Sequence, residues 1–175
     1  MSLSGRTYAV LVAEGVEDLE YWVTVMRLRE EGATVVSVGS DTESHAGKNG
    51  LTVRADVTAV GFDADGVDGL VIPGGHAPDK MRRDPAILDL VRTVHGRGLP
   101  IGIICHGGSV AISAGIVGAR ATGSLGIKDD LVLAGAEWVD EPAFRDGQIV
   151  WGRVVADIPA FERELVAAFA EAAGS

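Results

Sequence analysis

The sequence predicts an α/β protein: a doubly wound, mostly parallel sheet with helices on both faces. Three observations lead there. Short apolar runs alternate with helical patterns almost throughout the chain. The first run, helix and second run form a βαβ unit, which implies parallel strands. A later apolar run ends abruptly at Cys105, followed by His106, Gly107 and Gly108, where a strand is expected to turn directly into a helix.

Thr7 to Ala13 (TYAVLVA) lacks helical spacing and reads as a buried strand. In the stretch after it, Leu19, Trp22, Val23 and Met26 fall at helical spacing and predict the buried face of a helix. Glu17 and Asp18 suit the positive end of its dipole, and Gly32 offers a stop. Thr34 to Gly39 is the second strand. After a loop from Ser40 to Gly50, LTVRADV reads as a strand, and GLVIPGG as another that ends at a Pro-Gly-Gly turn. Asp84 and Pro85 cap a helix with Ile87, Leu88, Val91 and Val94 on its apolar face. Ile101 to Ile104 is the strand leading into Cys105. Near the end, two extended segments flank the turn signal Asp146-Gly147. The last helix starts at Asp157, carries Pro159 in its first turn and buries Phe161, Leu165, Val166 and Phe169.

With 175 residues and no linker, repeat or low-complexity tract, residues 1–175 are expected to form one domain. Hydrophobic residues at 47% and charged residues at 23% give the balance of a folded soluble chain. Fifteen basic against twenty-five acidic residues leave a net charge of −10, so neither nucleic acid nor an acidic membrane surface is an expected partner. The apolar runs are too short to span a bilayer, and MSLSGRTYAV is not patterned as a leader; a cytoplasmic protein is the expectation. A single cysteine cannot form an internal disulfide, which fits a reducing compartment.

A residue that closes a central strand and opens a helix is pushed out at the top of the sheet, and small residues must follow it. Gly107 and Gly108 meet that need, and a helix start favours thiolate over thiol, so the Cys105 pKa is expected to fall. The alternative is a small buried hydrophobe, the commonest role of a free cysteine. No histidine follows His106, which excludes the usual triads of class I glutamine amidotransferases and strand-elbow hydrolases. With no second cysteine and no zinc-ligand spacing among the histidines, no metal or other cofactor is expected.

AEGVEDLE (13–20), AGKNGLTV (46–53), VIPGGHAPDKMRRDP (71–85), ICHGGSVAISAG (104–115) and GIKDDLVLAGAEWVDE (126–141) together resemble the PfpI family of intracellular proteases, within the superfamily of the parkinsonism-associated deglycase and chaperone. The resemblance covers nearly the whole chain and implies a flavodoxin-like, class I glutamine amidotransferase-like fold with a nucleophile elbow at Cys105. It implies Cys105 as nucleophile with His106 beside it, and Glu17 as a protonated acid bonded to the cysteine. It further implies Asp79 as the acid that reaches a neighbouring subunit's site and orients the histidine, with the amides of Gly75 and His106 as oxyanion donors. A homo-oligomer, a dimer or a dimer-based hexamer, follows from the same resemblance. The chain departs from the family at Gly108, Ser109 and Gly152, changes expected to open or reshape the pocket beside the thiol.

The first expectation is a thiol-dependent hydrolase of protease or amidase type acting on a peptide or small carbonyl substrate. The second is a glyoxalase or deglycase acting on methylglyoxal or its adducts. The third is a non-enzymatic redox sensor or stress chaperone.

Overall fold

The computed structural model describes residues 2–174. The elements in chain order are β1 (Thr7–Leu11), α1 (Asp18–Glu30), β2 (Thr34–Gly39), β3 (Ser44–Ala46), β4 (Thr52–Arg54), β5 (Val57–Thr58), β6 (Gly69–Ile72), α2 (Ala77–Met81) and α3 (Pro85–Gly96). There follow β7 (Ile101–Ile104), α4 (Gly108–Ala114), β8 (Arg120–Ala121), α5 (Lys128–Leu133), β9 (Glu137–Trp138), β10 (Ala143–Asp146), β11 (Ile149–Gly152) and α6 (Ile158–Ala173). Seven strands form the central sheet in the order β10-β11-β7-β6-β1-β2-β5. Every neighbouring pair in it is parallel except β10–β11. The doubly wound, mostly parallel sheet is therefore as the sequence predicts.

The strand order reverses between β1 and β6, since the chain first winds from β1 to β2 and β5, then returns to β6 and continues through β7 to β11. At such a reversal the loops leaving the strands' carboxyl ends diverge and open a crevice. Here the loop after β1 and the loop after β6 line it, and Cys105 stands one strand over, at the end of β7. On one face of the sheet α6 closes the core, and Phe161, Leu165 and Phe169 are fully buried. It packs tightly against the sheet: a Cβ on Gly102 would lie 2.5 Å from Leu165, and one on Gly152 2.8 Å from Phe161.

Several expectations shift. LTVRADV is two short strands, β4 in a hairpin with β3 and β5 at the edge of the main sheet. In the β10–β11 hairpin Asp146 pairs with Ile149, so the two-residue loop is Gly147-Gln148, with Gly147 at φ 59°. Leu90 is buried on α3 where Leu88 was expected, and Ala168 rather than Val166 is buried on α6. The largest change concerns α1. Its buried residues are Asp18, Glu20, Tyr21, Thr24, Val25 and Leu28, while Leu19 and Met26 are 47% and 61% exposed. The helix lies on polar partners that fix its rotation more specifically than apolar area does: Tyr21 Oη meets Ser37 Oγ at 2.7 Å, and Thr24 meets Glu162.

Glu162 is a second buried acid. Thr24 Oγ1 donates, with its one proton shared between the carbonyl oxygen of Glu20 at 2.7 Å and Glu162 Oε1. Burial, against this hydrogen bond, pushes Glu162 up to about 7. Between the ordinary value of 4.5 and about 7 the folded chain holds a proton that the unfolded chain has lost. This contribution is complete below that window and falls away as pH rises through it, by about 3 kcal/mol in all. Glu162→Gln keeps an acceptor for Thr24 and removes the ionisation. Denaturant titrations are expected to show the variant gaining about 3 kcal/mol on the parent between pH 4.5 and 8; a pH-independent difference would refute the raised pKa of Glu162.

Candidate active site

The site is built where three segments meet. The loop after β1 forms an antiparallel bridge from Val16 to Gly75, with Glu17 N donating to Gly74 O at 3.1 Å and His76 N to Gly15 O at 2.8 Å. Gly75 must be glycine twice over: its φ is +80°, and a Cβ there would lie 2.4 Å from Glu17 N. Gly74 admits no side chain either, because a Cβ would come within 2.8 Å of Cys105 Cβ, of Glu20 Oε2 and of His106 N. The close approach of these backbones brings both loops to the thiol.

Cys105 has φ 59° and is the one non-glycine residue at positive φ among the described residues. Residues of that kind store roughly 1–3 kcal/mol of strain and cluster at functional sites. A single 3₁₀ turn, Cys105–Gly107, joins β7 to α4, and a Cβ on Gly107 would strike Ile72 O at 2.4 Å. The expected elbow is present. The expected lowering of the thiol pKa is not: burial first, and then the charge of Glu20, push Cys105 up to about 12, against the opposing amides of His106 and Gly75. Four residues of strand and a seven-residue helix do not offset the loss of water around a half-buried sulfur.

Glu17 is not the acid beside the cysteine. Its Oε2 caps α1 by accepting from Leu19 N at 2.9 Å and Glu20 N at 3.0 Å, and its Oε1 accepts from Asn49 Nδ2 at 2.8 Å. Glu20, one turn further on, takes the place by the thiol. Its Oε2 accepts from Gly74 N at 2.7 Å, its Oε1 is buried with no nitrogen or oxygen partner among the described residues, its carboxyl is within hydrogen-bonding reach of the Cys105 thiol, and burial pushes it up to about 7. Burial holds the carboxyl above its ordinary value, and burial together with the Glu20 charge does the same for the thiol. Since Oε2 already accepts an amide, Oε1 is the position for a proton. The sequence signal for it is a Glu in the first turn of α1, at the flank of the apolar stripe.

Asp18 explains why the AGKNGL segment matters. Buried, it accepts from Asn49 N and Leu51 N, both at 2.7 Å, and so fixes the β3–β4 hairpin over the site. The hairpin brings Lys48 close enough to act electrostatically on Glu20 and His106. His106 Nδ1 is 3.4 Å from Cys105 Sγ. Burial, then Lys48 and His76, hold its pKa below the ordinary histidine value. Asp79 does not reach it within one chain: it is 78% exposed and paired with Arg83 at 3.2 Å. The departures at Gly108 and Gly152 open no space. Gly108 is buried with a Cβ position 2.8 Å from Ile127, and Gly152 lies under Phe161. Ser109 donates to the carbonyl of His106 at 3.0 Å.

Fold and site together define a class: an α/β protein with a strained elbow cysteine at the carboxyl edge of a parallel sheet and a buried carboxyl beside it. The chain belongs to the DJ-1/PfpI family, whose sequence profile matches residues 6–168. It is 39% identical over 157 residues to "Deglycase PH1704" of Pyrococcus horikoshii, covering 89% of this chain and 95% of that protein. It is 37% identical to "Deglycase PfpI" of Pyrococcus furiosus, covering 89% and 95% respectively. Among solved structures it superposes with a TM-score of 0.89 and 33% identity on a two-domain protein of Anabaena variabilis containing dj-1/thij/pfpi-like and ferritin-like domains, covering 93% of this chain and 47% of that one.

Two substitutions separate the neighbouring acids. Glu20→Gln removes the like charge from the thiol, so alkylation of Cys105 by iodoacetamide at pH 8.5 is expected to quicken at least tenfold; slower alkylation would mean that the carboxyl assists the thiolate instead. Glu17→Ala removes a helix cap and is expected to lower stability by about 1 kcal/mol, with a much smaller change in the alkylation rate.

Proposed function

We propose that this protein is a thiol-dependent hydrolase of the deglycase type, acting on α-oxoaldehydes and on the carbinolamines they form with amines. The observation that carries this reading is the buried Glu20 carboxyl sharing the site with the Cys105 thiol. In the first step Sγ bonds to the aldehyde carbon and the carbonyl electron pair passes to oxygen, stabilised by the amides of Gly75 and His106, which bond to the sulfur in the free protein. With an amine adduct the sulfur displaces the amine, which leaves with a proton. Glu20 takes the proton from the sulfur-bearing carbon and returns it to the adjacent former ketone carbon, giving the thioester of a 2-hydroxy acid. Water then hydrolyses the thioester and restores the thiol. Water enters and a 2-hydroxy acid leaves, together with the amine when there is one, and no oxidant is needed. An acid that titrates near 7 suits a proton carrier at neutral pH. The names of the two archaeal relatives support the same reading.

Amide hydrolysis is the second reading, favoured by the 3.4 Å approach of His106 to the thiol. Expelling an amide nitrogen needs an oriented histidine, and Asp79 would serve only across a subunit boundary. Self-association is part of this proposal, and the exposed Leu19, Met26 and Leu51 support it.

Incubation with the methylglyoxal adduct of a simple amine is expected to release amine and 2-hydroxy acid in equal amounts, at a rate rising with pH through about 7. Cys105→Ser should abolish the reaction, and Glu20→Gln should slow it at least 100-fold. Cleavage of a peptide anilide with no hydroxy acid formed, lost in Asp79→Ala and accompanied by a dimer or larger species in light scattering, would replace this reading with the amidase.

A further inference from the structure

The mouth of the site is cationic in a protein whose net charge is −10. A cleft of about 380 Å³ is lined by Gly75, His76, Lys80, Arg82, His106 and Ile127, among others. Lys80 is engaged by Glu14. Asp79, the one acid among the described lining residues, is held by Arg83. Arg82 differs from these. Its Nε donates to Ser113 Oγ at 2.9 Å, it has no carboxylate partner, and its two terminal nitrogens bond to nothing among the described residues.

We propose that Arg82 is the anion-recognition residue of this cleft, and that the substrate taken at Cys105 carries a carboxylate. This deepens the assignment of Cys105 as nucleophile and rests on it. A guanidinium pinned through Nε keeps its remaining N–H groups as a fork that matches a carboxylate's two oxygens, and little rotamer freedom is left to lose on binding. The pin is on α4, the helix that begins at the Cys105 elbow, so Arg82 is fixed relative to the sulfur. Lys48 and His76, which act on His106, add to the field that draws an anion in. Ile127 supplies an apolar wall. A cleft of this size, at the small end for ligand sites, suits a single small molecule. An α-oxoaldehyde adduct of a free amino acid, with its α-carboxylate intact, has the required chemistry.

The test uses two alkylating agents of nearly equal size on the full chain, iodoacetate with a carboxylate and iodoacetamide without. In both, sulfur bonds to the methylene carbon and iodide leaves, so the rate ratio at Cys105, referenced to glutathione and read by intact mass, reports anion recognition without any turnover. The parent is expected to favour iodoacetate at least tenfold relative to glutathione. Arg82→Gln should bring the ratio to the glutathione value, Arg82→Lys should retain part of the preference, and Ser113→Ala should weaken it. Should Arg82→Gln fail to fold, loss of the parent's preference between 0.02 and 0.5 M salt decides the matter, because a field of this kind is screened. Equal ratios in the parent and Arg82→Gln, or a salt-independent parent, would overturn the proposal. Failure of the deglycase reading is distinct: the iodoacetate preference would stand while methylglyoxal adducts of alanine and of alaninamide both went unturned. Turnover of both adducts with equal kcat/KM would keep that reading and remove the carboxylate.

Discussion

The whole site depends on how closely the backbone after β6 approaches the backbone after β1. At Gly74 and Gly75 there is no room for a Cβ, and the Val16–Gly75 bridge holds the two loops together across the crevice where the strand order reverses. That contact has three consequences. Gly74 N–H meets Glu20 and fixes its carboxyl. The amide of Gly75 meets the sulfur. The start of α2, with His76, is drawn against the loop that carries Glu17. A side chain at either glycine would force the loops apart and separate acid, thiol and amides together.

The electrostatics follow from the same closeness. Removing water from a thiol and a carboxyl in one pocket disfavours charge on each, and the first charge to form disfavours the second. Both groups are therefore held above their ordinary pKa values, while burial holds the neighbouring His106 below its own. A second buried acid, Glu162, lies behind the first. It is joined through Thr24 to the carbonyl of Glu20, so the hydroxyl of Thr24 ties the helix turn that carries the site's acid to α6. Packing and chemistry are linked in α1: the face that holds the reactive acid is also the face whose polar contacts orient the helix.

Much of the site was legible in the sequence because it rests on local rules. An apolar run followed by Cys-His-Gly-Gly can be accommodated at a parallel strand's end only by a sharp turn, and Pro-Gly-Gly after a buried run announces a tight loop. Cys105, His106 and Gly75 are found together for those reasons. Glu17 and Glu20 could not be told apart in that way. Both are first-turn acids suited to the helix dipole, and which one caps the helix and which one faces the sulfur depends on the rotation of α1.

The sequence by itself determined the alternation of strand and helix, the parallel sheet and the elbow at Cys105, because periodicity and small-residue requirements act over a few neighbouring positions. Only the tertiary structure decided the rotation of α1, the identity of the buried acid, the raised thiol pKa and the pairing of Asp79 with Arg83. Each of these depends on desolvation and on contacts between residues far apart in the chain, such as Glu20 with Gly74 and Thr24 with Glu162. Hydrophobic spacing favoured burying Leu19 and Met26, but burial on a folded chain goes to the face whose partners are complementary, and here that face carries Tyr21, Val25 and Leu28 into the core beside the polar contacts of Glu20 and Thr24.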